Sequence, residues 1–404
     1  MTKTRRPVPD DGLAEDAFAV VRPRYGDGSL ADLLPSVSAV LGVPGAADVL
    51  GLRARLDGVN RVAVLLVDGL GAYQMPLVRG LAPVLADLAG PAPAGPFGMS
   101  AGSVLTSGFP STTPVSLVTL GAGVPPGAHG VLGFTVRRPD GRILNHIHWG
   151  DDPDPRTWQP VPTRWALAAA AGVAVTIVTR PEFAGTGLTM AASGGGVLRG
   201  ATEPDTIAAE MLRALADGTG PALVYGYYRE LDRHGHGAGV GSPGWCDAAR
   251  DVDGLLDRLV TGLPAGGALL VTADHGQLNV PYADRFDLGT HPALSEGVTA
   301  VAGEPRVRYL YPAPGALEDV AAAYRSVLGA GAEVLTREQA IDDGWFGPVP
   351  DGHRDRIGEL VVLCRGRAVL LASGWEPPSV ASLIAFHGSA GAAEMTVPLL
   401  VVRR

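Results

Sequence analysis

Only two cysteines, Cys246 and Cys364, occur in 404 residues, and neither stands in CxxC or other metal-ligand spacing. That excludes a disulfide-built scaffold and a thiolate zinc site, and it favours free thiols in a reducing compartment. Long apolar runs are also missing: no stretch approaches the roughly 20 uninterrupted apolar residues of a membrane span, so no membrane partner is expected. Positive charge is scarce. The formal net charge is −9, and basic residues cluster only as short pairs such as Arg5-Arg6, Arg137-Arg138 and Arg403-Arg404. No basic stripe exists to neutralise the many phosphates of a nucleic-acid duplex. The basic start MTKTRRPVPDDGLAED runs into acidic and proline-containing residues where a secretory signal needs an apolar stretch, so a cytoplasmic location is expected.

What the chain does have is apolar material, 46% of its residues, enough to bury a large core in one big domain or two smaller ones. Residues 1–56 read as an N-terminal extension with one helix, SLADLLPSVSAVLG, in which Leu30, Leu33, Leu34 and Val37 recur at helical spacing. From Arg61 onward, short continuous runs (VAVLLVD, VAVTIVT, ALVYGYY, ALLVTAD) alternate with longer amphipathic stretches. Strands with no polar face must be covered on both sides, which predicts an α/β fold with a mostly parallel central sheet flanked by helices on both faces. The rhythm changes over 277–366, where RVRYLYP, GALEDVAAAYRSVLG and a loop around WFGPVPDGHRDR predict an inserted smaller subdomain. The core then comprises 57–276 and 367–404, resuming with AVLLAS and closing with the strand VPLLVV.

Aspartate and histidine recur at the ends of the apolar runs: Asp68 in VAVLLVDGLG, Asp232 and His236 in YYRELDRHGHG, and Asp274-His275 in ALLVTADHGQ, with His387 in AFHGSAGAAEM near the C-terminus. An open α/β sheet gathers ligands beyond the carboxyl ends of its strands, so these residues are expected to converge. A single Asp after a strand is more often a cap, and a lone His more often a surface or satisfied core residue. Coincidence over four segments is harder to sustain. Mixed carboxylate and imidazole donors favour zinc, or manganese, over calcium with its all-oxygen cages.

The segment SVLTSGFPSTTPVSLVTLGAGVPPGAHGVLGF sets a Ser/Thr cluster before Pro114 and a buried helix. Proline is favoured at the first helical position, which predicts Thr113 as the cap with its hydroxyl at the helix N-terminus. Amides and dipole there favour an anion, and a nearby cation would lower the hydroxyl pKa enough to make it a nucleophile. Taken alone, a plain cap is the simpler account.

In order and spacing the set resembles the alkaline phosphatase superfamily, specifically its nucleotide pyrophosphatase/phosphodiesterase-like (type I phosphodiesterase) branch, from about Arg61 to Val402. The order is Asp68, Thr113 followed ten residues later by GxxPxxHG from Gly123 to Gly130, then DxxxH, DHG and a late HG. The resemblance implies an alkaline phosphatase-like core and two divalent ions. One is held by Asp232, His236 and His387, the other by Asp68, Asp274 and His275 with the Thr113 oxygen. It further implies hydrolysis of phosphate esters, above all phosphodiester or nucleotide pyrophosphate bonds, through a phosphothreonine intermediate; Thr112 is the fallback nucleophile. The substrate would be a small phosphate ester, a nucleotide among the candidates.

Two positions depart from the family. Pro114-Val115-Ser116 stands where the family has Phe-Pro-Asn, removing an aromatic platform for a nucleobase, and Phe134 stands where an Asn binds a phosphate oxygen. His146, His148, Trp149, Trp158 and Tyr228 are unassigned pocket candidates; His129 reads as structural, and His234, His291 and His353 as cleft-lining or surface residues. A phosphomonoesterase or a phosphomutase of the same superfamily remains an alternative, as does a non-catalytic metal-binding protein. A sulfatase is disfavoured because neither cysteine lies in a CxPxR context.

Overall fold

The computed structural model of the protein describes residues 7–90 and 104–404; the pair Arg5-Arg6 lies outside them. In chain order its main strands are β1 (Arg61–Val67), β2 (Ala174–Thr179), β3 (Val197–Gly200), β4 (Ala222–Tyr228) and β5 (Gly267–Thr272). They continue with β6 (Val298–Glu304), β7 (Val307–Pro312), β8 (Ala332–Thr336), β9 (Leu360–Cys364) and β10 (Leu400–Arg403). The central sheet runs β10-β5-β1-β4-β2-β3, parallel throughout except for β10, which pairs antiparallel with β5 and closes that edge. Successive residues of β1 from Val62 to Val67 are all fully buried. Since neighbouring side chains point to opposite faces, both faces of the sheet are covered.

The principal helices are α1 (Leu30–Val40), α2 (Thr113–Ala122), α3 (Pro204–Ala216), α4 (Glu230–Ala238), α5 (Pro243–Gly262) and α6 (Leu317–Leu328). The stretch MPLVRGLAPVLADLAG forms two short helices, Met75–Arg79 and Pro83–Ala89, broken at Gly80, as expected where glycine and proline adjoin. Strands β6 to β9 form a separate antiparallel sheet in the order β6-β7-β9-β8. It packs with α6 around its own apolar cluster, including Leu310, Tyr324 and Leu360.

One expected core strand lies elsewhere. Val369–Leu371, from AVLLAS, pairs in parallel with Arg285–Asp287 and not with the central sheet. Its apolar side chains face two ways, Leu370 into the subdomain cluster and Val369 and Leu371 into a small cluster with Leu278 and Phe386. A short apolar run carries no record of its partner, so pairing was open until the clusters formed.

The subdomain is tied to the loop that carries His387 by a fully buried ion pair. Arg306, in the turn between β6 and β7, donates from Nε to Glu394 Oε1 at 2.9 Å and from Nη2 to Oε2 at 2.5 Å. Glu394 Oε1 also accepts the Ser389 amide at 2.9 Å, two residues beyond His387. Arg306→Ala leaves Glu394 as an uncompensated buried charge, and urea unfolding is expected to show a loss of about 3–5 kcal/mol; a loss under about 1 kcal/mol would contradict this account.

Candidate metal centre

Three strands that lie side by side deliver the carboxylates. Register pairs Val67 with Tyr228 and Leu66 with Thr272, so Asp68 directly after β1, α4 directly after β4, and Asp274 two residues after β5 emerge at one end of the sheet. On α4, Asp232 and His236 are one turn apart and share a helix face, with His236 Nε2 3.4 Å from Asp232 Oδ1. His387 enters from the loop after the short strand Ala385–Phe386.

The side chains form two adjoining trios. Ligand atoms of Asp232, His236 and His387 lie within 4.8 Å of one another, and so do those of Asp68, Asp274 and His275. The rings of His275 and His387 stack at 3.5 Å between the trios. Each imidazole is oriented through Nδ1, which faces a backbone carbonyl: His236 on Ala385 at 2.8 Å, His387 on Ser111 at 2.9 Å and His275 on Gly276 at 3.2 Å. A carbonyl oxygen only accepts, so Nδ1 carries the proton and Nε2 presents a lone pair, the arrangement that suits metal-ligating histidines.

These lone pairs and carboxylates crowd one another. His236 Nε2 stands 3.1 Å from His387 Nε2, two acceptors face to face. Asp68 Oδ1 and Asp274 Oδ2 are buried without a hydrogen-bond partner. Burial, reinforced by the Asp274 and Asp232 carboxylates, pushes the Asp68 carboxyl well above its usual range, and burial with Asp232 raises Asp274. His387 is held well below the usual imidazole value by burial and by His275 and His236. Repulsive donors in two compact groups fit two divalent cations, which would reverse each of these penalties.

Thr113 stands at the edge of the second trio, its Oγ1 3.1 Å from His275 Nε2. The helix boundary corrects the expectation from proline: Thr112 is the N-cap, with φ −133 and ψ 147, Thr113 is the first helical residue and Pro114 the second. The first turn closes from the Ser116 amide to the Thr112 carbonyl at 2.9 Å. The second helical N–H also has no partner within the helix, so a proline lacking it is equally tolerated there. Thr112 is fully buried and sits beside Glu304, whereas Thr113 lines the cleft.

That cleft has a volume of about 850 Å³ and is lined by members of both trios, by Thr113 and Phe134, and by apolar groups including Phe183 and Trp375. His146, His148, Trp149, Trp158 and Tyr228 are not among its lining residues, nor are His234, His291 and His353. His146 accepts from Trp158 Nε1 at 3.1 Å, and His353 is held on the Gly127 carbonyl at 2.8 Å. His129 is buried between Thr119 and the Val131 amide, a structural role.

Three residues with no legible motif complete the site. Tyr227 donates its hydroxyl to Asp68 Oδ2, leaving Oδ1 to face His275, and Gln277 donates to Asp232 Oδ1, the oxygen that also faces His236. The third, Glu304, is the last residue of β6, on the distant second sheet, and lines the same cleft. The glycine of DHG also has a cause: a Cβ at Gly276 would lie 2.0 Å from the Ala393 carbonyl and 2.9 Å from Gly71 Cα.

Comparison with known proteins bears on the family and the fold. Residues 62–392 match the family model described as type I phosphodiesterase / nucleotide pyrophosphatase. No curated protein matches by sequence. Among solved structures, murine ectonucleotide pyrophosphatase / phosphodiesterase 5 superposes with a TM-score of 0.66 at 18% identity, covering 84% of this chain and 87% of that one. The human protein of the same name gives 0.66 at 16%, with coverage of 84% and 87%. Phosphonoacetate hydrolase from Sinorhizobium meliloti 1021 gives 0.63 at 21%, covering 86% and 91%. At such identities the likeness establishes the fold, an alkaline phosphatase-type core, while the family rests on the match over most of the chain. This chain therefore belongs to the type I phosphodiesterase / nucleotide pyrophosphatase family and is a metal-dependent phosphoester hydrolase of that kind.

Proposed function

We propose that the protein hydrolyses phosphodiester or nucleotide pyrophosphate bonds, with Thr113 as nucleophile and a phosphothreonine intermediate. The observation that carries this reading is the convergence of two donor trios beside a helix-start hydroxyl in one cleft. Asp232, His236 and His387 would hold one divalent cation, and Asp68, Asp274, His275 and the Thr113 oxygen the other. When bound, two cations supply about four positive charges against about three negative ones from the aspartates, lowering the Thr113 pKa and offsetting charge on the phosphoryl oxygens. Three imidazoles and no thiolate favour zinc, with manganese the alternative.

In the first half-reaction Thr113 Oγ gives up its proton to solvent and attacks phosphorus, and the bond to the leaving oxygen breaks, that oxygen taking up a proton from water where it needs one. Water then attacks phosphorus and the bond to Thr113 breaks. The start of α2 turns amides without helical partners towards the phosphoryl oxygens, and no separate general base is needed. A structure of the murine neighbour in complex with AMP carries an inactivating threonine-to-alanine substitution, which supports both the threonine role and a nucleotide as a candidate substrate. In place of the absent aromatic after Thr113, Phe183 and Trp375 offer flat apolar surface in the cleft. No helix among the described residues is long and apolar enough to cross a membrane. The unpaired thiols Cys246 and Cys364 support a cytoplasmic location.

Bis(p-nitrophenyl) phosphate and p-nitrophenyl phosphate, compared on zinc- and manganese-loaded protein, test the reading. Faster turnover of the diester is expected, and a clear monoester preference would overturn it. The pH dependence follows from the donors. Protons compete with metal for Asp68 and Asp274, whose carboxyls bind protons more readily than free aspartate, and for the imidazoles. Affinity therefore rises with pH and is lost as pH falls. Activity is expected to be low near about pH 5 and to rise into the mildly alkaline range, with metal released on acidification. A maximum in acid with metal retained would contradict the mechanism.

A further inference from the structure

The last residue of β6, Glu304, carries a carboxyl that belongs to neither metal trio. Glu304 is only 6% exposed, and its Oε1 has no hydrogen-bond partner. It nonetheless lines the cleft with Thr113 and His387. Two close neighbours fix its place. Its Cδ lies 2.7 Å from where a Cβ on Gly388 would stand, next to His387, so only a glycine with its φ of +130 admits it. Thr112, the residue before the nucleophile, lies on another side.

The bland roles for such a group are occupied or absent. Glu304 belongs to neither donor trio. The cation that acts on it, Arg308, is taken by Glu376 and by the Leu370 carbonyl at 2.8 Å. The turn itself is held by Arg306 on Glu394, so the fold does not require a carboxyl at 304. A buried carboxyl with Thr112 beside it and one oxygen left without a partner is costly unless a ligand completes it.

We propose that Glu304 is a further catalytic residue, its carboxyl O–H donating a hydrogen bond to a non-bridging oxygen of the phosphoryl group held beside Thr113. This rests on the phosphoester reading above. The groups facing Glu304 are the Thr112 hydroxyl, Arg308 on β7 and the more distant Glu394. Burial dominates among the influences on it and, with Glu394, outweighs Thr112 and Arg308, raising the carboxyl to about 8. Burial thus favours the protonated form, which meets phosphoryl oxygens as a donor, where a carboxylate would repel them.

Inorganic phosphate titrated calorimetrically into the zinc-loaded full chain at neutral pH tests this without reading turnover, so failure of the phosphodiesterase assay leaves the comparison decisive. Glu304→Ala is expected to weaken phosphate binding about ten- to hundredfold. Glu304→Gln, whose amide still donates, is expected to stay within about threefold of the wild type. Zinc content and circular dichroism should match in all three proteins. Binding by Glu304→Ala equal to the wild type overturns the proposal. So does Glu304→Gln as weak as Glu304→Ala, or a wild-type chain that binds no phosphate.

Discussion

Thr113→Ala is expected to lower kcat towards phosphodiesters by on the order of a thousandfold or more, the scale on which loss of a catalytic nucleophile is felt. The hydroxyl lies 3.1 Å from His275 Nε2 at the start of α2, whereas the Tyr227 hydroxyl in the same cleft is taken by Asp68. Because Asp68, Asp274 and His275 remain, the variant should keep its fold and most of its metal. Thr112→Ala is expected to be much milder, since the Thr112 side chain is buried beside Glu304. Steady-state kinetics with metal analysis on both variants decide the assignment. Turnover lost in Thr112→Ala and kept in Thr113→Ala shifts the nucleophile by one residue; turnover kept in both removes the phosphothreonine step.

Chelation is expected to abolish activity and to lower thermal stability together. Ligand present at about a thousand times its Kd stabilises a folded chain by about 4 kcal/mol per site. The donors also repel one another when the ions leave: Asp68 Oδ1 and Asp274 Oδ2 are buried without partners, and His236 and His387 meet through Nε2 atoms at 3.1 Å. The gap in melting temperature between zinc-loaded and chelated protein should widen from about pH 5 to pH 8 as protons stop competing for the ligands. Readdition of zinc or manganese should restore both readouts. Unchanged melting after verified metal removal, or full activity without metal, would end the two-metal reading.

Much of this was readable along the chain because the relevant physics is local. Continuous apolar runs in β1, β4 and β5 require cover on both faces, and that alone demands a helix-flanked sheet with Asp68 and Asp274 at the strand ends. The spacing of Asp232 and His236 places both on one helix face. Proline near Thr113 marked a helix start to within one residue; the boundary itself depended on which N–H groups the backbone left free, and proline is indifferent between the first two.

Other features came only with tertiary structure. The grouping of His387 with Asp232 and His236 was implied by resemblance, but its geometry depends on the loop anchored by Arg306 and Glu394, residues 88 positions apart. Tyr227 and Gln277 look in sequence like an ordinary strand aromatic and a loop amide. Their roles exist because β4 sets Tyr227 beside Asp68 and the loop after β5 sets Gln277 against Asp232 on α4. The run AVLLAS pairs with Arg285–Asp287 because hydrophobicity specifies burial without naming a partner. Glu304 is the clearest case: it ends a strand of a different sheet, and its environment is made by Gly388 and Thr112. Sequence alone thus determined the layers of the fold and the donor types at the strand ends, since strand burial and helix spacing are short-range. Which side chains orient those donors, and which carboxyl shares their cleft, was decided by contacts between distant segments.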